Sequence, residues 1–103
     1  MQPPLTTSAG ELDEIVHQRY RLAILAFLSR IETTEFTTLR DAIGLTDGNL
    51  NRHLAMLTGA ELVTVKRSTT RGQRARTWIA ITDEGRAALE DHVAALRRML
   101  DGL

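Results

Sequence analysis

The side chains that favour a binding chemistry in this 103-residue chain are basic, and most of them are close together. Residues 66–76 contain five basic residues and no acidic one, whereas the rest of the chain contains 8 basic and 13 acidic residues. Because the formal net charge is zero, this positive charge is local, and a local basic patch attracts a polyanion such as nucleic acid. A solvated hairpin would give the same pattern. The basic residues of this segment are Lys66, Arg67, Arg71, Arg74 and Arg76.

A second group of polar side chains lies on a helix predicted for residues 46–60. Leu50, Leu54 and Leu57 recur at helical spacing and form its buried face. An arginine can donate to O6 and N7 of guanine, and an asparagine pairs with N6 and N7 of adenine. The outward face therefore predicts a base-reading surface. Its members are Asp47, Gly48, Asn49, Asn51, Arg52 and Met56.

Several neighbouring positions have two interpretations. Asp47 either accepts from cytosine N4 or, as we favour, only interacts with the helix dipole. Gly48 either lets the backbone approach DNA closely or is a tolerated small residue. Thr38, Arg40 and Thr46 are candidate phosphate contacts. For both threonines helix capping is the alternative, and the two roles can coexist because a helix N-terminus attracts phosphate.

The composition argues against catalysis. The chain has no cysteine, which excludes disulfides, thiolate nucleophiles and cysteine-based metal sites. No nucleophile–base motif, phosphate loop or metal-ligand spacing is present, so we predict no enzyme, no cofactor and no metal site. The first residues lack a signal-peptide pattern and the longest apolar run, residues 22–28, is too short to span a bilayer. We therefore expect a cytoplasmic protein without a membrane partner.

The three histidines are assigned first to packing. His53 is expected to pack or to form hydrogen bonds on the base-reading helix. His17 falls in the first helix and His92 in the last. If they met across an interface they could bind a metal or sense pH, an alternative that the sequence leaves open.

The elements that must position these residues follow from periodicity and capping. Residues 1–10 are expected to be a flexible arm, and apolar spacing from Glu11 predicts one long helix, or two helices joined near His17. Residues 33–37 are predicted to be a connection with at most a short strand. Thr38 begins a capping box for a short helix that ends at Gly44, and the helix 46–60 follows.

Two β-rich segments, residues 62–68 and 75–81, are predicted to form a hairpin. Val63 and Val65 can face Ile81 and Ile79 only if the hairpin is centred on Gly72, which predicts a three-residue loop with Gly72 or Gln73 in a left-handed conformation. Arg71 and Arg74 then flank its tip, where they could reach a minor groove or the DNA backbone. Trp78 falls on the opposite strand face. Nearer the base of the hairpin lie Lys66, Arg67 and Arg76, which are expected either to contact phosphate or to be exposed to solvent.

Thr82 is predicted to cap a last helix with a wide apolar stripe. Apolar residues recur along it with spacings of three and four, which is the pattern of a helix–helix seam. A domain of this size has little core to spare for such a stripe, so a second copy of the chain is the expected partner; packing on its own domain is the alternative. The predicted dimer residues are Leu12, Ile15, Leu89, His92, Val93, Leu96, Met99, Leu100 and Leu103.

Four segments in this order resemble winged helix regulators of the MarR and ArsR groups. Residues 21–25 (RLAIL) resemble their first core helix, and residues 45–54 (LTDGNLNRHL) resemble their recognition helix. Residues 59–63 (GAELV) and 81–86 (ITDEGR) resemble the segments before and after the wing. The resemblance covers nearly everything after residue 12, and it implies a homodimer on a palindromic operator. Many ArsR-type sensors use cysteine, and this chain has none, so it has no thiolate sensor site.

The sequence thus predicts a mainly α (α+β) winged helix-turn-helix fold with a two-stranded wing, in a single domain of residues 11–103. Its parts are the helix-turn-helix (38–60), the wing (62–81) and a C-terminal dimerisation helix (82–103). The predicted function is sequence-specific binding of double-stranded DNA by a homodimeric transcriptional regulator, a repressor in most relatives. A winged helix that binds another protein is the alternative. A small-molecule effector is compatible with the sequence, but no residue identifies one.

Overall fold

A computed structural model describes residues 12–103, so the arm predicted for residues 1–10 lies outside the described part of the chain. The described part forms four helices and a three-stranded sheet. The elements are α1 (Arg19–Ile31), β1 (Thr33–Glu35), α2 (Phe36–Ile43), α3 (Asp47–Gly59), β2 (Val63–Ser68), β3 (Arg76–Ile81) and α4 (Asp83–Leu100). The predicted fold class and the order of its elements are confirmed. Within residues 12–103, no helix is long and apolar enough to cross a membrane.

The first helix begins later than predicted, because local side-chain hydrogen bonds close a turn before it. The Asp13 carboxylate accepts from the backbone N–H of Ile15 at 2.8 Å, and the N–H of His17 donates to the Asp13 carbonyl at 2.6 Å. Gln18 then caps α1, since its side chain accepts from Tyr20 N and Arg21 N. Residues 12–18 are therefore an irregular segment, and the prediction of a helix from Glu11 was wrong.

The second helix begins earlier than predicted. Its N-cap is Glu35, so Thr38 lies inside α2 and the capping box predicted at Thr38 does not form. Asp41, which would have completed that box, binds Arg40 instead. The predicted end is confirmed, since Gly44 adopts a left-handed conformation with φ of 81°.

The sheet has one strand more than predicted. β1 pairs antiparallel with β3, so β3 is central in the order β1-β3-β2. The predicted register of the hairpin is confirmed, with Val63 opposite Ile81 and Val65 opposite Ile79. Gly72 is left-handed as expected, with φ of 79°. Pairing nevertheless ends at Ser68 and Arg76, so the loop is longer than the three residues predicted.

The core lies where α1, α2 and α3 meet one face of the sheet. Its fully buried side chains come from every one of these elements: Ile24, Leu25, Leu28, Leu39, Leu50, Leu57 and Ile79. The leucine stripe predicted for α3 is confirmed, since Leu50, Leu54 and Leu57 are each at most 3% exposed. This burial fixes the rotation of α3 and decides which of its residues face outward.

The start of α4 docks closely on the turn that follows α3. Thr82 caps α4 by accepting from Gly85 N at 2.8 Å, while its hydroxyl donates to the Glu61 carbonyl and its N–H donates to the Leu62 carbonyl. Gly85 is buried directly against Leu62. The predicted cap is confirmed, and the docking leaves no room for a side chain at residue 85.

One side of the seam predicted on α4 is covered by the protein itself. His92 is 2% exposed, and its Nε2 lies 3.1 Å from Nδ1 of His17 in the irregular segment. Ile15 and Leu89 pack against the core. His92 is therefore not available to a second copy, which corrects its assignment to a dimer interface. The two histidines do meet, but within one protomer.

Burial of His92 makes the stability of the fold sensitive to pH. Burial lowers the pKa of His92 below its ordinary value of 6.5; the facing His17 lowers it further, and Asp13 raises it in part. At a pH between the lowered pKa of His92 in the folded chain and its ordinary value in the unfolded chain, the unfolded chain binds a proton that the folded chain does not. We expect the free energy of unfolding to be largest above about pH 6.5 and to fall as the pH drops below it.

Urea denaturation between pH 7.5 and pH 5.5, followed by circular dichroism, measures this slope. His92→Gln removes one of the two histidines whose pKa is lowered in the folded protein and should make the profile less steep, while His53 on α3 keeps its own contribution. Equal slopes for the wild type and His92→Gln would contradict the assignment.

Candidate nucleic-acid interface

The outward face of α3 carries the polar residues that the sequence singled out. Thr46 caps the helix, because its hydroxyl accepts from Asn49 N at 3.2 Å. With Leu50, Leu54 and Leu57 buried behind them, the predicted base-reading residues all lie on the exposed side. They are Asp47, Gly48, Asn49, Asn51, Arg52 and Met56, the last of which is 43% exposed. This face can present hydrogen-bond donors and acceptors to base edges.

Arg40, predicted to contact phosphate, is already engaged by two carboxylates. Its Nε donates to Asp41 and its Nη1 donates to Asp47, each at 2.9 Å. These hydrogen bonds raise the pKa of the Arg40 guanidinium above its usual value, with the larger effect from Asp41. Asp47, at the start of α3, therefore does more than interact with the helix dipole, because it joins α3 to α2. Thr38 is exposed on α2.

The hairpin 62–81, the wing, displays its basic residues to solvent. Lys66, Arg67, Arg71, Arg74 and Arg76 are all exposed. Arg76 lies 3.7 Å from Glu35 at the base of the hairpin, which is a long, partly exposed ion pair. Such a pair contributes little to stability, so Arg76 can exchange it for another anion.

A groove of about 470 Å³ separates the wing from the start of α2. Arg74 and Arg76 line one side and Thr37 the other, with Gln73 at the wing tip. Thr37 and Gln73 were not predicted from the sequence as binding residues. Thr37 could not have been found, because only the pairing of β1 with β3 brings the start of α2 beside the wing.

His53 joins the base-reading helix to α1 and to the segment before it. Its Nδ1 lies 3.2 Å from Nη1 of Arg21, and its ring contacts Tyr20 at a centroid distance of 5.6 Å. Arg21 in turn donates to the carbonyls of Ile15 and Glu14. Partial burial lowers the pKa of His53, and the positive charges of Arg21 and Arg52 lower it further. The neutral imidazole is thus the form that accepts from Arg21.

No cluster of metal-ligating side chains is found in the described residues. Among residues 12–103, no group of three or more His, Asp and Glu side chains could hold a metal ion. The contact between His17 and His92 is a hydrogen bond between two rings, and it needs one donor and one acceptor nitrogen.

Comparisons with known proteins agree with this geometry. A family model described as "Winged helix DNA-binding domain" matches residues 20–100. An uncharacterized protein of Methanocaldococcus jannaschii is 39% identical over 80 residues, which are 78% of this chain and 86% of that protein.

Two solved structures extend the comparison. A transcriptional regulator homologue from Pyrococcus horikoshii OT3 has a TM-score of 0.82 and 29% sequence identity, over 87% of this chain and 88% of that one. ZitR of Lactococcus lactis, a zinc-responsive MarR family member, has a TM-score of 0.62 and 18% identity, over 87% of this chain and 60% of that one. The second likeness is one of fold.

Proposed function

Because the chain belongs to the winged helix DNA-binding domain family, we propose that it binds specific sequences of double-stranded DNA and represses transcription as a homodimer on a palindromic operator. The family and the fold are those of DNA-binding regulators, not of enzymes. The predicted resemblance to winged helix regulators is confirmed, and for the MarR group it is confirmed at the level of the fold.

The observation that carries this proposal is the outward face of α3. Asn49, Asn51 and Arg52 are exposed, while the leucines behind them are buried and fix the orientation of the helix. In helix-turn-helix proteins the N-terminal residues of the second helix contact base edges in the major groove. We assign Arg52 to guanine and the two asparagines to adenine or a phosphate.

The wing is assigned to affinity more than to specificity. Its five exposed basic side chains suit the phosphate backbone, which contributes most of the sequence-independent binding energy. In the polar groove Thr37 adds a hydroxyl that can bind phosphate beside Arg74 and Arg76, and Glu35 also lines this groove. A dimer that neutralises about 6 to 10 phosphates loses roughly 10³- to 10⁵-fold in affinity between 50 and 200 mM salt.

A second copy of the chain is assigned to the outer edge of α4, where Leu100 is exposed and Leu89, Val93 and Leu96 are half-buried. Leu89, Val93, Leu96 and Leu100 recur with spacings of four, three and four, and Leu100 is 59% exposed. A groove of about 660 Å³ runs beside Leu89 and Val93. This edge is rotated from the predicted seam, because His92 and Met99 lie toward the covered side of the helix. Leu12 and Ile15 lie in the irregular segment, and Leu103, 99% exposed, lies beyond the end of α4.

Charge favours an antiparallel arrangement of the two copies of α4. Glu90 and Arg97 flank the apolar edge one heptad apart. If Val93 packs against Leu96 of the second copy, Glu90 comes next to Arg97 of that copy, and the twofold axis repeats the pair. In a parallel arrangement Glu90 and Arg97 would face the opposite flank of the second copy, so this charge pair would not form.

Protein–protein recognition through the wing and α3 is the alternative function. The cores of such interfaces are enriched in aromatic residues and depleted of charge. On α3 and β2, Met56 and Val65 are the large hydrophobic residues that are clearly exposed, and neither is aromatic. The exposed surface therefore favours DNA.

Selection from a random pool of DNA duplexes tests the proposal. We expect enrichment of a symmetric sequence, and then expect Arg52→Ala to weaken binding to it by about 1 to 3 kcal/mol and to relax the preference at one base position. Arg71→Ala and Arg74→Ala are the matched controls, because they should weaken binding to all duplexes alike. Failure to enrich any sequence would favour the protein-binding alternative.

A further inference from the structure

The start of α3 holds an arginine between two carboxylates at the surface assigned to DNA. Arg40 donates to Asp41 and to Asp47 at 2.9 Å each. The Arg40 side chain is 30% exposed, whereas those of Asp41 and Asp47 are 71% and 66% exposed. The guanidinium is therefore recessed, and the carboxylates are the groups that approaching DNA meets first. The cluster carries one net negative charge.

We propose that this acidic cluster (Arg40, Asp41 and Asp47) lowers the affinity for DNA of any sequence, so that tight binding depends on the base contacts of α3. The inference rests on the proposed function. A helix N-terminus ordinarily attracts phosphate, but Asp47 places a carboxylate there. Arg40 can contact a phosphate only by giving up hydrogen bonds to two carboxylates.

The acidic cluster and the wing have opposite effects on binding. The wing presents five basic residues and no acid, and it attracts every phosphate backbone equally. The acidic cluster repels that backbone at the point where bases are read. Specificity is the difference in binding free energy between the correct DNA sequence and all others. An element that weakens binding to every sequence is useful when base contacts made at the correct site alone compensate for the loss.

The chemistry of Asp47 identifies what could offset this repulsion. A carboxylate accepts from the N4 amino group of cytosine in the major groove, and no other base edge there offers only a donor. Asp47 is thus a specificity-determining residue. Arg40 is a positioning residue, because it holds the Asp47 carboxylate between α2 and α3. Asp41 acts only through its charge and its bond to Arg40.

The test compares three substitutions that each remove one negative charge from a side chain of nearly the same shape. Asp41→Asn and Asp47→Asn change the acidic cluster, and Asp91→Asn changes an exposed residue of α4 outside the interface. Fluorescence anisotropy measures binding to a random-sequence duplex and to the selected duplex between 50 and 200 mM salt. Thermal melting checks that the variants remain folded.

We expect Asp41→Asn and Asp47→Asn to bind the random duplex about five- to tenfold more tightly than the wild type. The salt dependence should steepen by up to about one phosphate contact, because Arg40 then has only one carboxylate to exchange for a phosphate. Asp47→Asn should also lower the ratio of selected to random affinity, whereas Asp41→Asn should leave that ratio nearly unchanged. Asp91→Asn should bind both duplexes as the wild type does.

If the cluster variants bind the random duplex no more tightly than Asp91→Asn, the inference is overturned and the proposed function stands. If both cluster variants lose affinity for every duplex, the ion pairs serve only to position α3, and the inference is again overturned. A folded wild type that binds neither duplex contradicts the proposed function together with the inference.

Discussion

Replacing Gly85 by alanine is expected to lower the free energy of unfolding by about 3 to 5 kcal/mol. A Cβ at this position would overlap the backbone carbonyl oxygen of Leu62 and would lie 2.9 Å from Cγ1 of Ile81. The obstacle is backbone, so no rotamer change relieves it. Either α4 or the turn at Leu62 must move, and the hydrogen bonds that join them through Thr82 would be lost.

Urea denaturation followed by circular dichroism measures this effect. Gly48→Ala is the matched control, because Gly48 also lies in the first turn of a helix and a Cβ there would meet nothing within 4 Å. Alanine exceeds glycine in helix propensity by about 1 kcal/mol, so the control should be neutral or stabilising. Equal unfolding midpoints for the wild type and Gly85→Ala would show that α4 is not docked in this way.

The second large effect is expected at the outer edge of α4. Leu96→Asp should turn the proposed dimer into a monomer, since the twofold axis would bury two unpaired carboxylates in an apolar contact. We expect the dimer dissociation constant to rise at least about 10²-fold, at roughly 1.4 kcal/mol for each factor of ten. Sedimentation velocity measures the mass, and binding to a symmetric duplex should weaken in parallel.

The charge pair tests the antiparallel register independently. Glu90→Arg or Arg97→Glu alone should weaken the dimer by bringing like charges together, and the double substitution should restore it. Ala87→Asp, which adds a carboxylate to an exposed position of α4 away from this edge, should remain dimeric. A Leu96→Asp variant with an unchanged dimer would place the interface elsewhere.

Local signals in the sequence determine α3 and the start of α4. A threonine cap precedes each helix, and the leucines of α3 are spaced to cover one face. The register of the hairpin was likewise predictable, because Val63 and Val65 lie directly opposite Ile81 and Ile79 only if the hairpin is centred on Gly72.

Long-range contacts account for what the sequence could not predict. β1 has three residues, and it is a strand only because β3 offers it an edge with which to pair. The apolar stripe on α4 is wide, so periodicity alone does not say which part of it is covered by its own domain. The engagement of Arg40 depends on the angle between α2 and α3, and no spacing along the chain encodes that angle.

The irregular segment 12–18 has a mechanical consequence. At one end its carbonyls accept from Arg21, which also contacts His53 on α3; at the other, His17 contacts His92 on α4. This irregular segment thus connects α3, the helix proposed to read bases, to α4, the helix proposed to join the two copies. In the proposed dimer these contacts fix the distance between the two α3 helices. If the two half-sites are moved apart by one base pair, they also rotate about the DNA axis relative to each other. A dimer with a fixed distance between its two α3 helices then no longer contacts both half-sites.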